Sequence, residues 1–96
     1  MTDIKAKRIT NFWDDPINPG EYIFYVAYTD RAKRIGMLFM CPCGCGERGS
    51  LDFRKENKPR WNWDDNEESP TLTPSVLRTS GCKWHGYLTD GVWEEC

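Results

Sequence analysis

The chain has 96 residues, with 13 Lys and Arg against 15 Asp and Glu, a formal net charge of −2 and an acidic pI. That length makes one small domain, 1–96, whose core is modest. The charge argues against a general nucleic-acid binder, and no apolar run approaches the roughly 20 residues of a membrane span.

Residues 1–20 begin polar, and Ile4, Ala6, Arg8 and Thr10 alternate with Lys5, Lys7, Ile9 and Asn11 too weakly to predict a buried strand. Phe12 and Trp13 are the first apolar anchor. Asp14-Asp15-Pro16 and Asn18-Pro19-Gly20 are turn chemistry, so an irregular N-terminal segment is expected over 1–20. Met1 to Arg8 lacks the apolar stretch of a secretion signal. Glu21 to Tyr28 is the clearest strand: Tyr22, Phe24, Val26 and Tyr28 share one face and Ile23, Tyr25 and Ala27 the other. Both faces are apolar, which predicts an inner strand covered on both sides. The chain turns over Thr29 to Lys33, and a second strand, Arg34 to Met40, delivers Cys41.

Ser50 to Arg54 and Arg60 to Trp63 read as a second hairpin turning at Lys55 to Pro59. Trp61 and Trp63, two apart, share a face and are expected in the core. Asp64 to Glu68 is an acidic run, read as a solvated loop. Pro70 to Leu77 must be extended, because each proline biases its predecessor away from helix, and Pro74 suits an edge strand. Ser80-Gly81 turns into Cys82. Trp84 to Leu88 and Val92 to Glu95 flank Asp90-Gly91, a strong hairpin turn. No segment has a helical period with caps. The fold class expected is all-β: a small metal-stapled domain of hairpins, Rieske-like or zinc-ribbon-like.

The chemistry concentrates in two clusters, Cys41-Pro42-Cys43-Gly44-Cys45-Gly46 and Cys82-Lys83-Trp84-His85. A tetrahedral zinc ion takes four thiolate or imidazole ligands, and they come in close pairs because each pair shares a tight turn. Gly44 and Gly46 can take positive φ, so the first loop can curl round an ion and aim N–H groups at sulfur. Five cysteines are an odd number, and three within five residues cannot bridge one another without strain, so a disulfide scaffold fits poorly. Cysteines without a secretion signal imply a reducing compartment, hence a cytoplasmic protein. The candidate ligands are Cys41, Cys43, Cys45, Cys82 and His85. Cys82 and His85 pair with Cys41 and Cys43, Cys45 is the rival in the first loop, and Cys96 is a further thiol returned to the site by the last hairpin.

These motifs, in order with Pro-Thr-Leu-Thr-Pro-Ser-Val at 70–76 and Gly-Cys-Lys-Trp-His-Gly-Tyr-Leu-Thr-Asp-Gly-Val-Trp at 81–93, resemble the uncharacterised DUF6527 family of phages and bacteria over Leu38 to Cys96. The resemblance implies a small, phage-encoded metal-binding domain and little about activity. A weaker likeness is to Rieske-type domains, whose two loops carry Cys-x-His and Cys-x-x-His on a small β scaffold; here Cys43 stands where a histidine would be.

If His85, the chain's one histidine, ligates metal, none remains as a general base, and a Ser-His-Asp device is unavailable. Four closed ligands also leave zinc no open position for catalysis. The sequence therefore favours a non-enzymatic zinc-binding accessory domain with a protein partner. The first alternative is an iron–sulfur electron-transfer domain using Cys41, Cys43, Cys82 and His85. The second is a single-stranded nucleic-acid binder that stacks bases on Trp61 and Trp63 beside Arg54, Lys55, Lys58 and Arg60, against which the acidic run argues.

Overall fold

A computed structural model describes residues 3–10, 16–27, 29–30, 33–56, 59–78 and 82–95. The expectations for Phe12 and Trp13, Asp14-Asp15, Tyr28, Lys58, Ser80-Gly81 and Cys96 lie outside the described residues. The described chain is all strand and loop, in two sheets. The first sheet runs in the order β1 (Asp3–Lys5), β9 (Val92–Glu95), β8 (His85–Thr89), β7 (Leu72–Leu77), β6 (Asn62–Trp63). The second runs β2 (Lys7–Arg8), β3 (Glu21–Val26), β4 (Arg34–Met40), β5 (Arg48–Asp52). Among the described residues no helix is long and apolar enough to cross a membrane.

The sheets pack face to face through alternating residues. Tyr22, Met37, Phe39, Cys41 and Leu51 come from one side and Leu72, Val76, Trp84, Leu88 and Trp93 from the other. Trp93 is the central contact: its ring lies 4.9 Å from Phe39 and 5.8 Å, edge-on, from Trp84. Its indole N–H donates to the Gly20 carbonyl at 3.0 Å, so the largest buried side chain has a polar partner.

Local signals produced the expected local structure. Asp90 (φ 49°) and Gly91 (φ 76°) form the turn between β8 and β9, as Asp-Gly predicts. β4 runs Arg34–Met40 and ends at Cys41. Long-range pairing departs from expectation in four places. Part of 1–20 is strand: β1 pairs antiparallel with β9, β2 pairs parallel with β3, and buried Ala6 is where the chain passes between sheets. β3 is inner by hydrogen bonding but covered on one face only, with Tyr22 buried and Tyr25 exposed. The second hairpin does not form: β5 pairs with β4 while β6 crosses over to pair with β7. β7 is therefore no edge strand; Pro74 is accommodated at the irregularity between Leu72 and Val76.

The acidic run is tied down rather than solvated throughout. Glu67 pairs with Arg8 at 3.2 Å and with Arg34 at 2.9 Å, its carbonyl accepts the Tyr22 hydroxyl at 2.7 Å, and Glu68 also pairs with Arg8. Asp64 accepts the main-chain N–H groups of Asn66 and Thr71. Trp63 stacks on Phe53 at 5.5 Å and meets Phe24 at 4.7 Å, so it is core-associated as expected.

Glu21 closes the 17–20 turn. Its carboxylate accepts the main-chain N–H groups of Ile17 and Asn18, each at 2.9 Å, and the Asn18 amide at 3.0 Å. These bonds, the Asn18 main-chain N–H foremost, hold its carboxyl below the ordinary value. A depressed carboxyl contributes stability that is present above the unfolded pKa and lost as pH falls through the folded one. Thermal denaturation of Glu21→Gln and wild type between pH about 3 and about 7 should therefore show a gap that is widest near neutrality and closes in acid. A pH-independent gap would mean that the carboxylate's charge is irrelevant.

Candidate metal centre and a neighbouring serine–histidine pair

The β4–β5 hairpin carries the first cysteine loop. The Cys41 N–H donates to the Glu47 carbonyl at 3.0 Å and closes the loop, and the Gly44 N–H turns back to the Cys41 carbonyl at 3.2 Å. Gly44 (φ 88°) and Gly46 (φ 84°) both take the left-handed backbone the sequence anticipated. Cys82 arrives from the other sheet, in the β7–β8 connection. The sulfurs of Cys41, Cys43, Cys45 and Cys82 all lie within 4.8 Å of one another. Cys41 is buried and the other three are exposed.

This donor set fits a metal. Cys41 Sγ lies 3.3 Å from both Cys43 Sγ and Cys82 Sγ. With Zn–S bonds of about 2.3 Å, tetrahedral sulfurs stand about 3.8 Å apart, so the close pairs need to part by only about 0.5 Å. The main-chain N–H groups of Cys43, Cys45 and Trp84 are directed at the sulfurs of Cys41, Cys43 and Cys82. Such N–H groups stabilise thiolate, the form that binds metal. Burial pushes the Cys41 and Cys43 thiols up. Cys82 is held down to about 7, chiefly by a hydrogen bond from the Cys43 thiol. The four can hold a metal ion that staples one sheet to the other.

Two ligand expectations change. Cys45, expected as the rival in its loop, is drawn in with Cys41 and Cys43. His85 is not brought into the group. Lys83 takes a left-handed backbone (φ 57°), after which Trp84 turns into the core. Alternation from buried Trp84 then throws His85 onto the outer face of the sheet, away from the ion pocket. The iron–sulfur set of Cys41, Cys43, Cys82 and His85 is thus not assembled.

On that outer face His85 meets Ser75: Nε2 lies 2.9 Å from Ser75 Oγ. In β7–β8 pairing His85 stands opposite Leu77, and Ser75 is two residues back along β7, a diagonal neighbour within reach of a long side chain. The Ser75 carbonyl accepts the Trp61 indole N–H at 3.2 Å. Leu77 (56% exposed) and Tyr87 (46%) flank the pair. A serine hydroxyl within hydrogen-bond distance of an imidazole nitrogen is the arrangement that a nucleophile and its general base adopt in acyl-transfer sites. Sequence reasoning missed Ser75 because Cys-x-x-His had already claimed the histidine. Strand alternation through Trp84, His85 and Gly86 was the signal available to free it. The aromatic platform proposed for single-stranded nucleic acid is also committed elsewhere, with Trp63 stacked on Phe53 and Trp61 bonded to Ser75.

The model of a family described as bacterial ubiquitination-like system serine protease (BubE) matches residues 9–96, and the chain belongs to that family. This description, rather than DUF6527, is the one the comparison carries; the bacterial setting is common to both. No curated protein and no solved structure matches the chain.

Proposed function

We propose, on the premise of that family membership, that the chain is a serine hydrolase of peptide bonds, with Ser75 as nucleophile and His85 as general base. The observation that carries this reading is the 2.9 Å contact between Ser75 Oγ and His85 Nε2. With the ring proton on Nδ1, Nε2 accepts the hydroxyl proton as Oγ attacks the scissile carbonyl carbon. The imidazolium then gives that proton to the leaving amine. Water repeats the sequence on the acyl-serine and releases the acid. The non-enzymatic reading depended on His85 as a metal ligand, and its place beside Ser75 removes that support.

The four cysteines hold zinc in the same proposal. Four thiolates close the coordination shell, so the metal would supply structure and no step of hydrolysis passes through it. The partner is a protein substrate, and the reduced thiols suit the cytoplasm of a bacterium or, for a phage-encoded copy, of its host.

A fluorophosphonate probe with mass spectrometry tests the reading. Ser75 should be the labelled residue, and His85→Ala should abolish labelling. Wild type that takes no label at Ser75 returns the chain to a zinc-bound accessory domain. Metal analysis of the same sample should give one zinc per chain and a colourless protein; a coloured, iron-loaded one would overturn the zinc assignment.

A further inference from the structure

The main chain of Ser75 sits at a break in the sheet. The Arg78 N–H donates to the Trp84 carbonyl at 2.8 Å, so 78–84 and, two along, 76–86 are the hydrogen-bonded pairs of β7 with β8. Ser75, one residue out of that parity, turns its main-chain groups away from β8 and toward β6. On that side the Asp64 N–H donates to the Thr71 carbonyl at 3.2 Å, so 64–71 and 62–73 are the hydrogen-bonded pairs. One more step of the same ladder would set Arg60 opposite Ser75. β6 begins only at Asn62, however, and the Trp61 N–H goes to the Asp52 carbonyl at the end of β5, at 2.8 Å. The side chain of that residue supplies what the ladder leaves out: the Trp61 indole N–H donates to the Ser75 carbonyl at 3.2 Å.

That bond bears on the hydroxyl. Pro74, just before Ser75, has no N–H with which to fix the strand, and the β7–β8 register shifts between Leu72 and Val76. The nucleophile therefore lies on the least regular part of its strand. Its carbonyl belongs to the peptide plane that follows it. Holding that plane fixes the direction in which the Cα–Cβ bond leaves the strand, and with it the place of Oγ, 2.9 Å from His85 Nε2. Trp61 is itself firmly held. Its main chain is tied to β5, its ring packs against the core, and the Asp52 carboxylate next to that tie accepts the Arg54 N–H and guanidinium, each at 2.9 Å. A brace thus runs from the second sheet to the serine of the first.

We propose that Trp61 is the positioning residue of the nucleophile: its indole N–H anchors the Ser75 main chain and so keeps Oγ within reach of His85 Nε2. This rests on the hydrolase reading and names what holds its serine in place. Trp61 acts through the main chain, so it governs the chemical step rather than substrate affinity. A misplacement of about 1 Å at reacting atoms costs on the order of 100-fold in rate, and release of this one anchor should cost about 10-fold or more.

The test removes the N–H and keeps the ring. Trp61→Phe does so with a smaller aromatic. A semisynthetic chain with benzothienylalanine in place of Trp61 keeps the indole's shape, with sulfur where the N–H was. In both, kcat on unfolded casein and the rate of Ser75 labelling by the fluorophosphonate should fall about 10-fold or more. KM, zinc content and the cooperative thermal transition of the benzothienyl protein should stay at their wild-type values. A wild-type kcat in that protein, or a loss confined to KM or to thermal stability, overturns the proposal. A further readout needs no turnover. The nitrogen NMR signal of His85 Nε2 reports the hydroxyl bonded to it, and in both proteins it should move toward its position in Ser75→Ala. A signal that stays where wild type has it overturns the proposal. Absence of Ser75 labelling in wild type sinks the hydrolase reading, while the nitrogen signal still shows whether Trp61 holds the serine to the histidine.

Discussion

Ser75→Ala should lower kcat for peptide hydrolysis by roughly 10⁴-fold or more, and His85→Ala by a comparable factor, as measured for nucleophile and base in serine proteases. The double variant should be no worse than either single one. The two groups act as a unit, so once either is gone no proton transfer to the other is left to lose. Both variants should fold. Neither side chain is buried in the core: His85 is exposed and Ser75 half-buried on the outer face of the first sheet. His85→Ala should also retain its metal in full, which separates this arrangement from one in which the imidazole ligates. Circular dichroism, zinc content and initial rates on one preparation decide the matter. Hydrolysis that survives Ser75→Ala would mean that the contact with His85 is only a surface hydrogen bond between neighbouring strands.

The division between what was legible in the sequence and what was not follows the range of the interaction. Asp90-Gly91 dictates its own turn, and the β4 strand declares itself through seven consecutive residues from Arg34 to Met40 that end at a cysteine loop. Gly44 and Gly46 announce their positive φ. Sheet membership is different, because nothing within Arg60 to Trp63 says which strand it will pair with. Trp63 pairs with Leu72 in the first sheet and packs back across the interface on Phe53 and on Phe24, the latter distant in sequence. β1 and β2 are short and mostly polar, and they exist through the strands they join, β9 and β3. The site divides in the same way. Three thiols in one loop are visible as a metal half-site from spacing alone. Ser75 is invisible until the irregularity in β7 and the β7–β8 register bring it to His85. A single left-handed residue, Lys83, then decides whether the histidine joins the cysteines or the serine.

Removing the metal should abolish the fold rather than loosen it. The cluster joins the β4–β5 hairpin of one sheet to the β7–β8 connection of the other, and buried Cys41 is itself part of the core. A structural zinc site contributes about 10–16 kcal/mol of apparent binding free energy to small domains. The whole stability of a domain is commonly about 5–15 kcal/mol, so a core this modest has little to set against the loss. Without the ion, four thiols crowd one surface pocket, and the two sheets keep their apolar faces and a few polar contacts, such as Glu67 with Arg34 and Trp93 with the Gly20 carbonyl. Cys41→Ser, Cys43→Ser, Cys45→Ser and Cys82→Ser should therefore each lose zinc and the cooperative thermal transition, and a strong chelator should do the same to wild type. Cys45→Ser is the informative member: full zinc content with an unchanged transition would mean that three cysteines and a ligand outside the cluster complete the shell. Because Cys82 lies three residues before His85, the same treatment should also erase Ser75 labelling, and restoring zinc should return label and transition together. Label that persists after the metal has been stripped would show that β7 and β8 hold the Ser75–His85 pair without the staple.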